Sequence, residues 1–429
     1  MNVNGHEGTA RDSPMDQGYE GRAKKRTPVR CAAVGIAAAA AMVLAGCGSG
    51  GGNASNGNAA ATGDIKIGLS GALTGGDAIL GSNQRQGVEL AADQINSAGG
   101  INGRKISLVV QDEANDPARM AQIAQRFVSQ DKVDAIIGGT NDGTALVLAQ
   151  VAEQAKVPLV IPFANGDNIT TDKKWAFQVD VASSSFVKKA VDYLHGQGFD
   201  KIGIAYDDNA FGQLDAKLAT EDLQDLGVKP VASVSMPNGA QDYTAQIQQL
   251  RQAGAEVLFT PMGGTNVAQL RKNMQQVNYS AGIVGPNSLA FESMIDIGRS
   301  AVERSVCFYD VIDTSKPEVA EFADDFKKKY DREPNSGFEL LGYDAMKIVA
   351  AGLKAATGNG SVDKNKARDA IEGLQKYAAV SGKTGSTISY SPEEHRRANP
   401  EDLVLRWADG GTFTNAPEDC AKQSTQANK

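Results

Sequence analysis

The segment formed by residues 133–167 constrains the fold more than any other part of this sequence. It begins with a short run rich in β-branched residues, and it finishes with a second apolar run that Pro162 interrupts. Between the two runs, Leu146, Val147 and Val151 recur at helical spacing. The segment therefore predicts a strand–helix–strand unit. Its two strands should be parallel and joined by a right-handed crossover.

Polar residues follow both strands of this unit. Residues 140–144 come after the first strand, and residues 163–165 come after the second. Parallel sheets bind ligands just beyond the carboxyl ends of their strands. The first loop also opens a helix, whose free N–H groups and dipole favour an anion such as a carboxylate. The alternative is that Asp142 or Thr144 only caps this helix.

Length and charge limit the classes of function. A chain of 429 residues is too long for one core of the usual size, so we expect two lobes. The net charge of −8 argues against nucleic acid as a partner. The four cysteines include no CxxC pair, and the three histidines are scattered along the chain. We therefore expect neither a metal site nor a cofactor.

The first 63 residues have the composition of a targeting segment. A basic group at residues 22–30 precedes fifteen uncharged residues, 32–46, whereas a membrane-spanning helix needs about 20. This length suits a signal peptide. Residues 44–47 (LAGC) resemble a bacterial lipobox, in which the cysteine receives a lipid. We predict a lipoprotein signal peptide over 1–46, or over 15–46 if Met15 is the start, and a flexible tether over 47–63 that is lipidated at Cys47. The alternative is a plain secretory signal with a chance cysteine.

The body of the chain alternates strands and helices twice over. One series runs from residue 65 to residue 180, and a second runs from residue 186 to residue 284. This pattern predicts an α/β fold with two doubly wound, Rossmann-like lobes. The last third differs. It contains a strand at 305–311, three helical stretches at 317–330, 337–356 and 362–374, and short strands at 387–390 and 403–407.

Six runs together carry a resemblance to a known family. They are 67–75 (IGLSGALTG), 99–106 (GGINGRKI), 112–117 (DEANDP), 157–162 (VPLVIP), 206–212 (YDDNAFG) and 342–345 (GYDA). In their order and spacing they resemble the substrate-binding proteins of branched-chain amino-acid ABC transporters, which are periplasmic binding proteins of type I. The resemblance implies two lobes that are joined by three crossover strands and close on a ligand.

The resemblance also implies lobe boundaries. The crossovers are expected near residues 181–184, 310–313 and 388–392. The amino-terminal lobe would then comprise 64–182 and 312–389. The carboxy-terminal lobe would comprise 184–310 and 391–420.

The ligand site is expected in the cleft between the lobes. In members that bind amino acids, two loops of the first lobe hold the α-carboxylate, an acid of the second lobe holds the ammonium, and an aromatic side chain closes the pocket. The matching first-lobe residues are Asn141, Asp142, Gly143, Phe163, Ala164 and Asn165. Asn287 matches the acid and Met262 matches the aromatic residue, while Leu80 and Phe211 match residues that line the cleft.

Two of these positions depart from the family pattern. Asn287 offers no charge to an ammonium group. Asp142 stands where a hydroxyl is common, and it would repel a carboxylate at that place. Either Asp142 points away as a helix cap, or the ligand is not an ordinary amino acid but an amide, a polyol or a cationic compound.

These features predict a receptor rather than an enzyme. The sequence contains no Gly-x-Ser-x-Gly elbow and no P-loop, and His195 and His395 lie in polar stretches that predict exposed side chains. We expect a monomeric, extracytoplasmic, lipid-anchored receptor that delivers a small solute to ABC permease subunits. A ligand sensor of the same fold is the alternative.

The two cysteines that remain beside Cys47 after signal removal are expected to pair. Cys307 lies on a predicted strand near the second crossover, and Cys420 lies in the tail that returns to the second lobe. Because the compartment outside the cytoplasm is oxidising, we predict a disulfide between them. Two unpaired thiols are the alternative.

Overall fold

The computed structural model describes residues 63–426 except 76, 335 and 359–360. The predicted signal peptide, the predicted lipidation site Cys47 and all but the last residue of the predicted tether lie outside the described residues. Among the residues that are described, no helix is both long enough and apolar enough to span a membrane.

The first lobe is built on a five-stranded parallel sheet with the order β2-β1-β3-β4-β5. The chain passes through β1 (Ile65–Gly71), α1 (Ala78–Ser97), β2 (Ile106–Asp112), α2 (Pro117–Arg126), β3 (Ala135–Ile137), α3 (Asp142–Ala155), β4 (Leu159–Ile161) and β5 (Ala176–Gln178). The three short strands β3, β4 and β5 are buried along their whole length. Such burial is what continuous apolar runs in a parallel sheet predict, because helices cover both faces.

The second lobe is built on a seven-stranded sheet with the order β14-β13-β10-β9-β8-β6-β7. Its first part consists of α4 (Ser183–Gly196), β6 (Ile202–Asp207), α5 (Ala210–Asp225), β7 (Ala232–Met236), α6 (Thr244–Gln252), β8 (Val257–Phe259), α7 (Gly264–Gln276), β9 (Gly282–Gly285), α8 (Glu292–Gly298) and β10 (Val306–Asp310). Strands β6 to β10 are parallel, whereas β13 pairs with β10 in the antiparallel sense.

The chain crosses between the two sheets three times. It leaves the first sheet after β5 and returns after β10. It then adds α9 (Pro317–Tyr330), α10 (Gly337–Ala356), α11 (Lys364–Glu372) and the hairpin of β11 (Tyr377–Ala378) with β12 (Thr387–Ile388). The third crossing leads to β13 (Val404–Asp409), β14 (Thr412–Asn415) and α12 (Cys420–Gln426). The predicted α/β architecture of two doubly wound lobes with three crossovers is confirmed.

The last third contains features that hold distant parts together. Helix α10 packs along α1, which places it in the first lobe. The structure joins Cys307 of β10 to Cys420 of α12 by a disulfide, the pairing that the sequence predicts, with Cα atoms 6.2 Å apart. Both cysteines are fully buried. The bridge therefore fixes the carboxy-terminal helix to the second sheet.

One prediction about exposure is wrong. His395 is buried, and its ring packs against Phe177 with 4.3 Å between ring centroids. Its Nε2 lies 3.1 Å from a carboxylate oxygen of Glu372. Glu393 is exposed and Glu394 and Arg396 are half-buried, but His395 and Arg397 point inward at the third crossing.

Candidate functional site

The amino-terminal end of α3 is closed by its own side chains. Asn141 is the N-cap, since its Oδ1 accepts from the Thr144 N–H at 2.9 Å. The Thr144 hydroxyl in turn accepts from the Asn141 N–H and donates to Glu113. Glu113 also accepts from the Thr140 N–H. The cap is thus Asn141, and neither Asp142 nor Thr144 takes that position.

Asp142 instead joins the two loops that were expected to hold a carboxylate. It is the first residue of α3, and its Oδ1 accepts from the Gly166 N–H at 3.2 Å. Burial raises the pKa of Asp142, and the neighbouring Asp167 adds to the rise. The helix end that would attract an anion therefore already has a carboxylate beside it.

Asp180 connects the lobes at the first crossing. Its Oδ2 accepts from the Asn287 side-chain amide of the second lobe at 3.0 Å and from the Asn165 amide of the first lobe at 3.5 Å. Burial raises the pKa of Asp180 to about 8, with Asp310 contributing to the rise and Arg397 opposing it. Two predicted ligand amides thus meet at one buried carboxyl group. Asp180 was not predicted from the sequence, although a charged residue directly after a buried strand could have indicated it.

Two further carboxyl groups, those of Asp167 and Asp215, lie near the start of α4. Asp167 accepts from the backbone and hydroxyl of Ser184, at 3.1 and 2.6 Å, and pairs with Arg396 at 2.6 Å. Asp215 of α5 accepts from the Ser183 hydroxyl at 2.8 Å. Burial raises the pKa of Asp215 to about 7, and both Asp142 and Asp167 add to this rise. Asp142, Asp167 and Asp215 form a group that we call the acidic triad.

Aromatic rings bridge the lobes on another side of the cleft. Phe291 precedes α8 in the second lobe, and its ring stacks on Phe338 of α10 with a centroid distance of 5.2 Å. Phe163, which follows β4, packs edge-on against Phe338, with 3.9 Å between the ring centroids. Only Phe163 was predicted from the sequence. Nothing in the sequence pattern distinguishes the other two rings from core residues.

The remaining predicted residues occupy different environments. Leu80 and Gly143 lie in the first turns of α1 and α3, and Phe211 lies half-buried in the first turn of α5. Ala164 is buried, and its carbonyl accepts from Gln178. Met262 has no exposed surface and packs in the apolar core of the second lobe. The structure thus places all ten predicted ligand residues at the carboxyl ends of strands, with Met262 turned into the core.

A cavity of about 460 Å³ lies beside this site, between the loop that joins β4 to β5 and the loop of the third crossing. It is lined by Asp167, Pro392 and residues 170–174 and 393–396. Its lining mixes lysine and arginine with aspartate and glutamate, and most of these residues are on the surface. The strand ends between the lobes remain the better candidate, because polar groups from both lobes converge there.

Comparison with known proteins decides the family. The model of the family described as periplasmic binding protein matches residues 64–411, most of the chain. The chain belongs to the periplasmic binding protein family. It is 28% identical over 389 residues to the Leu/Ile/Val-binding protein homolog 7 of Brucella abortus (strain 2308), and the match covers 85% of this chain and 94% of that relative.

Solved structures share the fold. The branched-chain amino acid transporter substrate-binding protein LivJ of Streptococcus pneumoniae, in complex with isoleucine, matches with a TM-score of 0.72 at 22% identity, covering 82% of this chain and 99% of LivJ. A solute-binding protein of R. palustris in complex with benzoate matches with a TM-score of 0.70 at 20% identity, covering 82% and 95%. This periplasmic binding protein therefore has the type I fold, and its family implies an extracytoplasmic location.

Proposed function

We propose that this protein is the solute-binding receptor of an ABC importer. It captures an amino acid or a related small polar solute between its lobes and delivers it to permease subunits in the membrane. The observation that carries the proposal is the meeting of polar groups from both lobes at the strand ends, where Asp180 receives one amide from each lobe. A ligand that touches both lobes favours the closed form over the open one.

The comparisons support a binding role over catalysis. The relatives and the structural neighbours are named as binding proteins. Their ligands, isoleucine and benzoate, differ in chemistry, so the shared fold leaves the ligand of this chain open. The protein acts without a cofactor in this proposal, and it works as a monomer.

A ligand screen tests the receptor proposal. The detergent-purified chain is heated with single amino acids, amides, polyols and amines, and the midpoint of unfolding is recorded. A true ligand at 100-fold its Kd adds roughly 2.7 kcal/mol to the stability of the folded state. Uptake of the ligand by cells that lack this chain should then fall. Normal uptake in such cells would favour the alternative, a sensor that signals to a neighbouring protein.

Membrane attachment is proposed to depend on Cys47. The motif at residues 44–47 carries this part of the proposal. The Cys47→Ala variant should appear in the soluble fraction, whereas the wild type should stay with membranes after a high-salt wash. Retention of the variant on washed membranes would show that another anchor holds the protein.

A further inference from the structure

Eight segments that directly follow strands are rich in carboxylates and contain no Lys or Arg, whereas Lys173, Lys174 and Lys316 lie further along the loops after β4 and β10. The eight segments are residues 72–80, 113–116, 138–144, 162–172, 208–215, 236–242, 260–266 and 286–292. Their acids include all three members of the acidic triad, Asp142, Asp167 and Asp215. An anionic solute would meet carboxylates here and no cationic side chain from these segments.

Hydrogen bonds connect the acidic triad through two pairs of consecutive residues, Gly166–Asp167 and Ser183–Ser184. Asp142 accepts from Gly166, the residue before Asp167. Asp167 accepts a hydrogen bond from the Ser184 hydroxyl. The preceding residue, Ser183, donates its hydroxyl to Asp215. The Ser183 N–H also donates to the Asn165 carbonyl at 2.9 Å, which draws the two pairs together. Carboxyl groups from both lobes therefore converge at one place.

One oxygen of the acidic triad has no partner within the described part of the chain. Asp215 has no exposed surface, and its Oδ2 makes no hydrogen bond there. The nearest charges that act on Asp215 are Asp142 and Asp167, both of the same sign. A buried carboxylate oxygen without a donor is costly, so its presence calls for a donor from outside the chain.

The charge of the acidic triad is only partly balanced. Arg396, from the third crossing, pairs with Asp167 but also with Glu394 at 2.9 Å. Among the described residues, no three His, Cys, Asp or Glu side chains are placed to hold a metal ion. An organic cation with N–H groups would supply both the missing donor and the balancing positive charge.

We propose that the acidic triad receives the ammonium or guanidinium group of the solute, so that the ligand of this receptor is an organic cation without a free carboxylate beside that group. This inference rests on the proposed receptor function. A plain amino acid fits poorly, because the α3 end that would attract its carboxylate is capped by Asn141 and flanked by Asp142. Charge-assisted hydrogen bonds to two or three carboxylates supply the affinity for the cation.

Calorimetry on the detergent-purified chain tests this assignment. The probes are the cations putrescine and agmatine, the zwitterion leucine, the anion benzoate and the neutral polyol mannitol. At least one cation should bind. Each of the variants Asp142→Asn and Asp215→Asn should lower the affinity for that cation by about 10- to 100-fold. The amide keeps the size of the carboxyl group and an acceptor oxygen, so the folded structure should persist.

Glu256→Gln is the matched control. Glu256 lies at the amino end of β8, opposite the strand ends that form the cleft, and pairs with Lys201 on the surface. It should leave the affinity for the cation unchanged. Tight binding of leucine, benzoate or mannitol with no binding of either cation would overturn the assignment and leave the receptor proposal standing. Failure of all five probes to bind would count against both.

Discussion

At the scale of single residues, Asp180 is a carboxyl group whose pKa lies far above the ordinary value. Burial raises its pKa from 3.8 to about 8. Between these two values the folded protein keeps a proton that the unfolded chain has lost. The contribution of Asp180 to stability therefore falls as the pH rises through this window. The charged groups that face it are Asp310 and Arg397, and Arg397 is already paired with Asp402.

The Asp180→Asn variant should remove this dependence. Asparagine is neutral at every pH and keeps an oxygen that accepts from Val181 or Asn287. We expect the variant to match the wild type at pH 5 and to exceed it at pH 9 by on the order of 2 kcal/mol in unfolding free energy. Urea unfolding at the two pH values measures the difference. The exposed Asp200→Asn change is the control, and a wild type whose stability does not fall from pH 5 to pH 9 would contradict the expectation.

Prediction of single residues from the sequence was possible where the signal was local. The chain order of strand and loop was enough to single out the loops of Asn141 and Asn165, and the family resemblance added Asn287; the contact of these residues with a ligand stays a prediction. Their partners could not be read in the same way, because the Asn287–Asp180 hydrogen bond joins residues 107 apart in sequence. Likewise, the sequence shows that Asp142 departs from the family pattern. Its hydrogen bond from the Gly166 N–H could not be predicted, because it depends on how two loops meet in space.

At the scale of elements, α1 and α10 approach each other so closely that two glycines are required. A Cβ on Gly87 of α1 would lie 1.9 Å from the Glu339 carbonyl oxygen, and one on Gly342 of α10 would lie 2.2 Å from the Gln84 carbonyl oxygen. Neither backbone atom can yield without moving a helix. The close approach brings α10 onto the first lobe and so sets the position of Phe338 in the cleft.

The Gly87→Ala variant should therefore destabilise the protein by about 2–4 kcal/mol, even though alanine favours a helix. Gly196→Ala is the control, because Gly196 ends α4 and, apart from its chain neighbours and its own helix backbone, no atom of the described residues lies within 4 Å of the place that an alanine methyl group would occupy. The control should be neutral or slightly stabilising. Chemical unfolding of both variants gives the comparison, and equal stabilities would mean that the two helices separate at little cost.

The disulfide acts on the element that ends the chain. Cys307 and Cys420 are 113 residues apart in sequence, so the bridge closes a long loop. The Cys307→Ala/Cys420→Ala double variant should lose about 2–5 kcal/mol of unfolding free energy. Dithiothreitol should lower the stability of the wild type towards that of the variant and leave the variant unchanged. Two free thiols in the native protein, found by mass spectrometry, would refute the pairing.

Periodicity predicted the long elements well. The helices Pro317–Tyr330 and Gly337–Ala356 begin and end where the sequence places them. The short elements α8, β14 and α12 were not predicted. With four to seven residues each, they show too few periods for a pattern to emerge, and tertiary packing fixes them instead.

At the scale of the whole molecule, the contacts between the two lobes include a polar pair and an aromatic pair. Asp180 and Asn287 form the first, and the stacked rings of Phe291 and Phe338 form the second. The polar contact lies at a crossing, whereas the rings belong to the bodies of opposite lobes. The stacked pair should therefore stabilise the closed form over the open one.

The Phe291→Ala variant tests this role in closure. A stacked pair contributes about 0.5–1.5 kcal/mol, so its loss should reduce the population of the closed form. The affinity for every ligand should then fall by the same factor, about 2- to 10-fold. Calorimetry with the strongest ligand and a weaker analogue measures the two factors, and small-angle scattering measures how far the lobes open. Asp142→Asn is the contrasting variant, since it should penalise cations alone. A Phe291→Ala variant that weakens one ligand and spares another would mean that the ring touches the solute directly instead of acting through closure.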